Sequence, residues 1–168
     1  MGHVLHAVIG RRTAVAEFAG PWLSAHLVRL PQGFALVPLT ESLFDEIAAT
    51  GRSEAPDPFT QFERLSERVE VALKGASTTG PLAYIETDYF GGCGTQSAVA
   101  WDRRGILAGP FKTETSWSGS HHVVKPPGEW AINRVLAALG VVPAAEEDEF
   151  DTMSLGQFRS TESVEEVG

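Results

Sequence analysis

The sequence predicts an α+β domain with a single mostly antiparallel sheet and helices packed on one face. Three observations lead there. Strand-like apolar runs come in groups joined by short turns, which is a hairpin and meander signature. Helical stripes fall between and after those groups, without the steady strand–helix alternation of a doubly wound fold. The 168 residues suit one domain, and a chain of that size buries about 70% of its unfolded surface without needing a disulfide or metal.

Each element has a local reason. Residues 3–9 are rich in Val, Leu and Ile and read as a first strand. Arg12 to Ala19 reads as a short helix stopped by Gly20-Pro21. Ala25–Leu30 and Phe34–Pro38 are apolar runs around Pro31-Gln32-Gly33, a hairpin signal. Thr40 caps a helix in which Leu43, Phe44, Ile47 and Ala48 recur at helical spacing, and Gly51 ends it. After a polar linker over 51–58, Asp57 caps and Pro58 opens a helix with the stripe Phe62, Leu65, Val69, Leu73 and Ala76.

Leu82–Phe90, Thr95–Trp101 and Ile106-Leu107 read as an antiparallel meander, the last two joined by Asp102-Arg103-Arg104-Gly105. Residues 112–127, rich in Ser, Thr, Gly and Pro, read as a long loop. Glu129–Leu139 is a final helix closed by Gly140. The expected organisation is one globular domain over 1–158 and an acidic, loose tail over 159–168, where Val164 and Val167 are the only apolar anchors.

Charge is unevenly spread. Ala144 to Gly168 hold eight acids and one base, and so carry seven of the nine net negative charges. Such a chain meets something cationic or ends in a solvating segment. Acidity argues against nucleic acid or an anionic membrane as the main partner. The N-terminal apolar run is short and lacks a preceding basic segment, so no secretory signal is expected. His6 stands where a myristoylation pattern wants Ser or Thr. A single cysteine, Cys93, fits a reducing cytoplasm.

The densest candidate segment is Tyr84 to Gln96. On a strand, Tyr84, Glu86 and Asp88 share one face. Neighbouring carboxylates there lie about 7 Å apart, a spacing open to acid/base chemistry, metal binding, a solvated face, or a face that grips a basic partner. The last is preferred to catalysis, since Tyr is favoured at interfaces. Gly91-Gly92-Cys93-Gly94 is followed by a strand, so it reads as a turn before it reads as a phosphate cradle. Cys93 lacks a local cation to form a thiolate, though His121 or His122 would be its base. No Cys or His spacing suits zinc, and Asp148-Glu149-Phe150-Asp151 breaks the calcium-loop pattern at Phe150. No metal or cofactor is therefore expected. Trp117, in the Ser/Gly-rich stretch, is a candidate interface anchor.

Residues 82–158 resemble a set of small bacterial proteins through Tyr84-Ile85-Glu86, Tyr89-Phe90-Gly91-Gly92, Gly94 and Gln96, then Ile132-Asn133 with Leu139-Gly140, then Asp148-Glu149-Phe150-Asp151 with Leu155-Gly156. The resemblance implies that the segment up to Gly156 belongs to the fold, and that Cys93 is not required. In size and acidity the chain is also similar to bacterial immunity proteins, a likeness of type without a motif.

These readings favour a non-enzymatic cytoplasmic binding protein, an immunity protein or antitoxin that neutralises a basic toxin or effector, a nuclease being one such partner. Its expected contact residues are Tyr84, Glu86, Asp88, Trp117, Glu146, Glu147, Asp148, Glu149 and Asp151. One alternative is a small enzyme at the Gly91–Gly94 turn using Glu86, Asp88 or Cys93 with His121 or His122. Another is a structural or adaptor subunit. Within the acidic end, Phe150, Met153, Leu155 and Phe158 are expected to dock on the body and hold the 146–151 acids in place.

Overall fold

A computed structural model describes residues 2–51, 59–115, 117–123 and 125–167. β1 (His3–Arg11) runs directly into α1 (Arg12–Ala19). β2 (Val28–Arg29), β3 (Phe34–Pro38), α2 (Glu41–Ala48) and α3 (Glu67–Ala76) follow. Then come β4 (Leu82–Phe90), β5 (Cys93–Asp102) and β6 (Gly105–Thr115), a small hairpin of β7 (Trp117–Ser118) and β8 (His121–His122), α4 (Ala131–Ala138) and α5 (Glu149–Thr152).

Six strands form one sheet in the order β2-β3-β1-β4-β5-β6. Every neighbouring pair is antiparallel. The fold is α+β, as the hairpin pattern predicts. The helices, however, cover both faces. Val8, Val37, Tyr84, Val99 and Trp101 pack under α1, α2 and α3. Leu5, Ala7, Ile9, Leu36, Ile85 and Ala98 pack under α4 and the 153–158 segment. The expectation of one covered face is thus corrected. Both side-chain rows of β1 and β4 are largely apolar, and a strand of that kind needs a cover on each side.

Local signals explain most boundaries. Thr40 caps α2 by accepting the Leu43 N–H at 3.2 Å. Gly91 and Gly92 both have positive φ, 60° and 83°, and join the paired residues Phe90 and Cys93. A two-residue turn with both φ values positive matches the twist of an antiparallel pair.

Three elements differ from expectation. The long helix starts at Glu67, not Pro58; its cap is Ser66, whose hydroxyl accepts the Val69 N–H at 3.3 Å. Phe62 and Leu65 are still buried, but from an irregular stretch, and Asp57 and Pro58 lie outside the described residues. β6 continues to Thr115 instead of ending near Leu107. Gly109 and Pro110 sit at a register shift on this edge strand, where a missing N–H costs no interior ladder bond. Part of the expected 112–127 loop is the β7–β8 hairpin.

The C-terminal segment continues where β3 stops. β3 pairs with β1 only from Ala7 onward. Residues 159–161 occupy the vacated side of β1: Val4 N–H donates to Arg159 O at 3.0 Å and Thr161 N–H to Val4 O at 2.9 Å. The Thr161 hydroxyl accepts the His6 N–H at 2.8 Å, and Val164 is fully buried. The first residues of the expected loose tail are therefore laid along the sheet. No helix among the described residues is long and apolar enough to cross a membrane.

Candidate functional site

The two faces of the sheet treat their polar residues differently. On the α3 face, Tyr84 is fully buried and Glu86 is 7% exposed. Glu86 accepts the backbone N–H groups of Glu63 and Arg64, both at 2.8 Å, and the Tyr84 hydroxyl at 2.9 Å. A carboxylate with three donors offsets the cost of its burial. The two amides it holds lie in the irregular stretch just before α3. Burial and then the Glu86 charge push the Tyr84 hydroxyl's pKa well up. The expected contact row is therefore corrected at two positions. Tyr84 and Glu86 are covered by the 59–66 segment, with Phe62 and Tyr84 ring centroids 5.8 Å apart; only Asp88 is exposed.

The Gly91–Gly94 turn is a tight hairpin end. A Cβ on Gly94 would collide with the Asp88 carbonyl and come within 2.7 Å of Tyr89 Cα, so the glycine serves close strand approach. Cys93 is free and half-buried opposite Phe90. Glu86, one of the three groups offered for the enzyme alternative beside Asp88 and Cys93, is committed to its three donors. His121 is exposed on the β7–β8 hairpin; the side chains of His122 and Trp117 lie outside the described part. Among the described residues, no group of three or more His, Cys, Asp or Glu is placed to hold a metal ion.

On the α4 face, polar side chains build a joint between the sheet and the acidic end. Thr113 accepts the Ala131 N–H at 2.9 Å, and Gln96 Oε1 accepts the Ile132 N–H at 3.2 Å. They satisfy the first donors of α4, whose own N-cap residue, Trp130, supplies none. Asn133 Oδ1 accepts the Phe150 N–H at 3.0 Å, and Asn133 Nδ2 donates to Pro127 O at 3.1 Å. Asp148 then caps α5 by accepting the Asp151 N–H at 2.9 Å. Glu147 accepts the Thr152 hydroxyl at 3.2 Å, and that hydroxyl oxygen accepts the Ala144 N–H. Met153, Leu155 and Phe158 are buried beneath. The 146–151 acids therefore stand on a docked segment.

Those acids surround one depression. Glu146, Glu147, Asp148, Glu149 and Asp151 line a groove of about 510 Å³ with Pro127, Gly128 and Pro143. The Asp151 carboxyl is held above the usual range by partial burial and then by the charges of Asp148 and Glu147. Asp148 also borders a second cavity of about 310 Å³, lined by His3, Tyr89, Gln96, Trp130, Asn133 and Phe150. His3 donates Nε2–H to Leu155 O at 3.1 Å and accepts the Thr87 hydroxyl at Nδ1, 2.7 Å away. Burial lowers its pKa, with Arg159 adding to the effect, so the ring is neutral. The Tyr89 hydroxyl is buried and makes no hydrogen bond of full geometry among the described residues. Burial raises its pKa and the Gln96 side chain opposes the rise.

Of the expected contact residues, the structure gathers Glu146, Glu147, Asp148, Glu149 and Asp151 at one place. Sequence reasoning missed His3 and Trp130, which are distant in the chain from that segment and join it only through the sheet. No family model, curated protein or solved structure matches the chain.

Proposed function

We propose that this chain is a non-enzymatic cytoplasmic binding protein of the immunity or antitoxin kind, which neutralises a basic toxin through its acidic rim. The observation that carries the reading is the gathering of Glu146, Glu147, Asp148, Glu149 and Asp151 around one groove on a docked segment. Fixed charges of one sign raise the encounter rate with a cationic surface and set its orientation. After burial, the charges of Asp148 and Glu147 add to the rise in the Asp151 pKa. These carboxylates repel one another across the groove, and a cationic partner relieves that repulsion. Asp88 is also exposed, but it belongs to the α3-face row and does not line the groove.

The test is affinity capture from an extract of the native host at low and high salt, with the protein as bait. A basic protein recovered at low salt and depleted at high salt supports the reading. Recovery of no basic protein under either condition contradicts it.

A further inference from the structure

We propose that the cavity between α4, α5 and the β4–β5 end of the sheet binds an organic cation, an alkylammonium or guanidinium group. The cavity measures about 310 Å³, the lower end of the range for small-ligand sites. Aromatic rings dominate its walls. Tyr89 and Trp130 pack at 6.3 Å between centroids with planes at 44°, and His3 and Phe150 at 5.9 Å and 56°. Aromatic surroundings attract a cation through the ring quadrupole, most strongly when water is excluded.

The charges lining the cavity have one sign. Among its described lining residues, Asp148 is an acid and His3 is held neutral by its two hydrogen bonds and burial. Arg159 acts on His3 but does not line the cavity. Of the remaining polar groups, Gln96 and Asn133 each hold one backbone N–H on a carbonyl oxygen that has a second lone pair, and the Tyr89 hydroxyl has an oxygen able to accept. An anion entering here meets Asp148 with no cation among the described lining residues; a cation meets a carboxylate, two amide oxygens, the Tyr89 hydroxyl oxygen and aromatic rings.

The walls are also fixed before any ligand arrives. Trp130 Nε1–H donates to Lys125 O at 3.1 Å, Asn133 is tied to Pro127 and Phe150, and Asp148 is held as the α5 cap. A cage set in advance loses little freedom on binding. The outer acids focus cations toward the opening, because the groove they line shares Asp148 with the cavity. The site stands apart from the toxin-neutralising reading. It needs no partner protein, and free cations test it directly.

The experiment is calorimetric or NMR titration of the purified full chain, at constant ionic strength, with choline, methylguanidinium and the uncharged choline isostere 3,3-dimethylbutan-1-ol. Saturable binding is expected for at least one cation, with the two arms separating an alkylammonium from a guanidinium preference. The uncharged isostere is expected to bind about tenfold more weakly or less. Asp148→Asn keeps the cap while removing the charge, and is expected to weaken cation binding about fivefold. Tyr89→Leu is expected to do the same through the wall, and Asp148→Asn alone decides the matter if Tyr89→Leu does not fold. Glu17→Gln, an exposed acid of α1 on the opposite face of the sheet, is expected to leave affinity within about twofold at 0.15 M salt. Three results overturn the proposal: no saturation by either cation, equal binding of the uncharged isostere, or an unchanged affinity in Asp148→Asn.

Discussion

Asn133 on α4 accepts the backbone N–H of Phe150 at 3.0 Å, so the helix that covers the sheet also holds the first turn of α5. The same side chain donates to Pro127 O. Asn133 is 2% exposed, and its two bonds position the acidic rim from beneath.

Asn133→Ala is expected to cost about 1–3 kcal/mol, because it leaves Phe150 N–H and Pro127 O without partners in a partly buried joint. Urea unfolding measures this. Asn133→Asp keeps the acceptor for Phe150 but loses the donor and adds a charge beside Asp148, so it recovers only part of the loss.

Glu86→Ala is expected to destabilise the fold by about 2–4 kcal/mol, since three donors lose a charged acceptor. Glu86→Gln keeps an acceptor and costs less. Hydrogen exchange at Glu63 and Arg64 gives the local readout. Faster exchange at these two amides, with the sheet still protected, is the expected pattern.

These two positions show how far the sequence was legible. Helix α1 and strands β3 and β4 follow from apolar spacing and from Gly and Pro punctuation alone. The start of α3 does not, because the local signal at Asp57-Pro58 is stronger than Ser66. The Glu63 and Arg64 amides instead donate to Glu86, a partner more than twenty residues downstream that local spacing does not reveal. The second helical cover was implicit in β1, where Val4 to Ile9 alternate too weakly for a strand with one wet face. β6 was hidden by Pro110, an interior strand breaker that an edge strand tolerates. The acids at 146–151 and their docking residues were readable because charges and anchors interleave in one segment. The aromatic cavity was not readable as a place. Strand pairing brings His3 on β1 beside Tyr89 on β4, and the docking of α4 and α5 brings Trp130 and Phe150 to them.

Acid is expected to weaken the fold through His3. Burial lowers its pKa below 6.5, so between that lowered value and 6.5 the unfolded chain binds more protons than the folded one. Stability therefore rises with pH across this window, is complete above about pH 6.5, and falls as pH drops below it. Denaturant midpoints from pH 7.5 to 5.0 check this. His3→Gln, which does not titrate, is expected to show a shallower decline over the same range.

Gly94→Ala is expected to cost more than about 2 kcal/mol or to shift the β4–β5 register, since the added methyl meets the Asp88 carbonyl and Tyr89 backbone. Gly91→Ala, at φ 60° with open space around it, is expected to cost only about 1 kcal/mol of backbone strain. Thermal melts of the two variants separate close approach from turn conformation as the reason for this glycine run.

The acidic rim is tested most directly by repeating host-extract capture with wild type and with the triple variant Glu146→Lys, Glu147→Lys and Glu149→Lys. All three side chains are exposed or half-buried and line the groove, so the fold is expected to survive, as circular dichroism will check. The account predicts a basic protein that co-purifies with wild type at low salt and is lost from the variant. Absence of any basic protein from the wild-type capture, or its equal retention by the variant, would contradict the account.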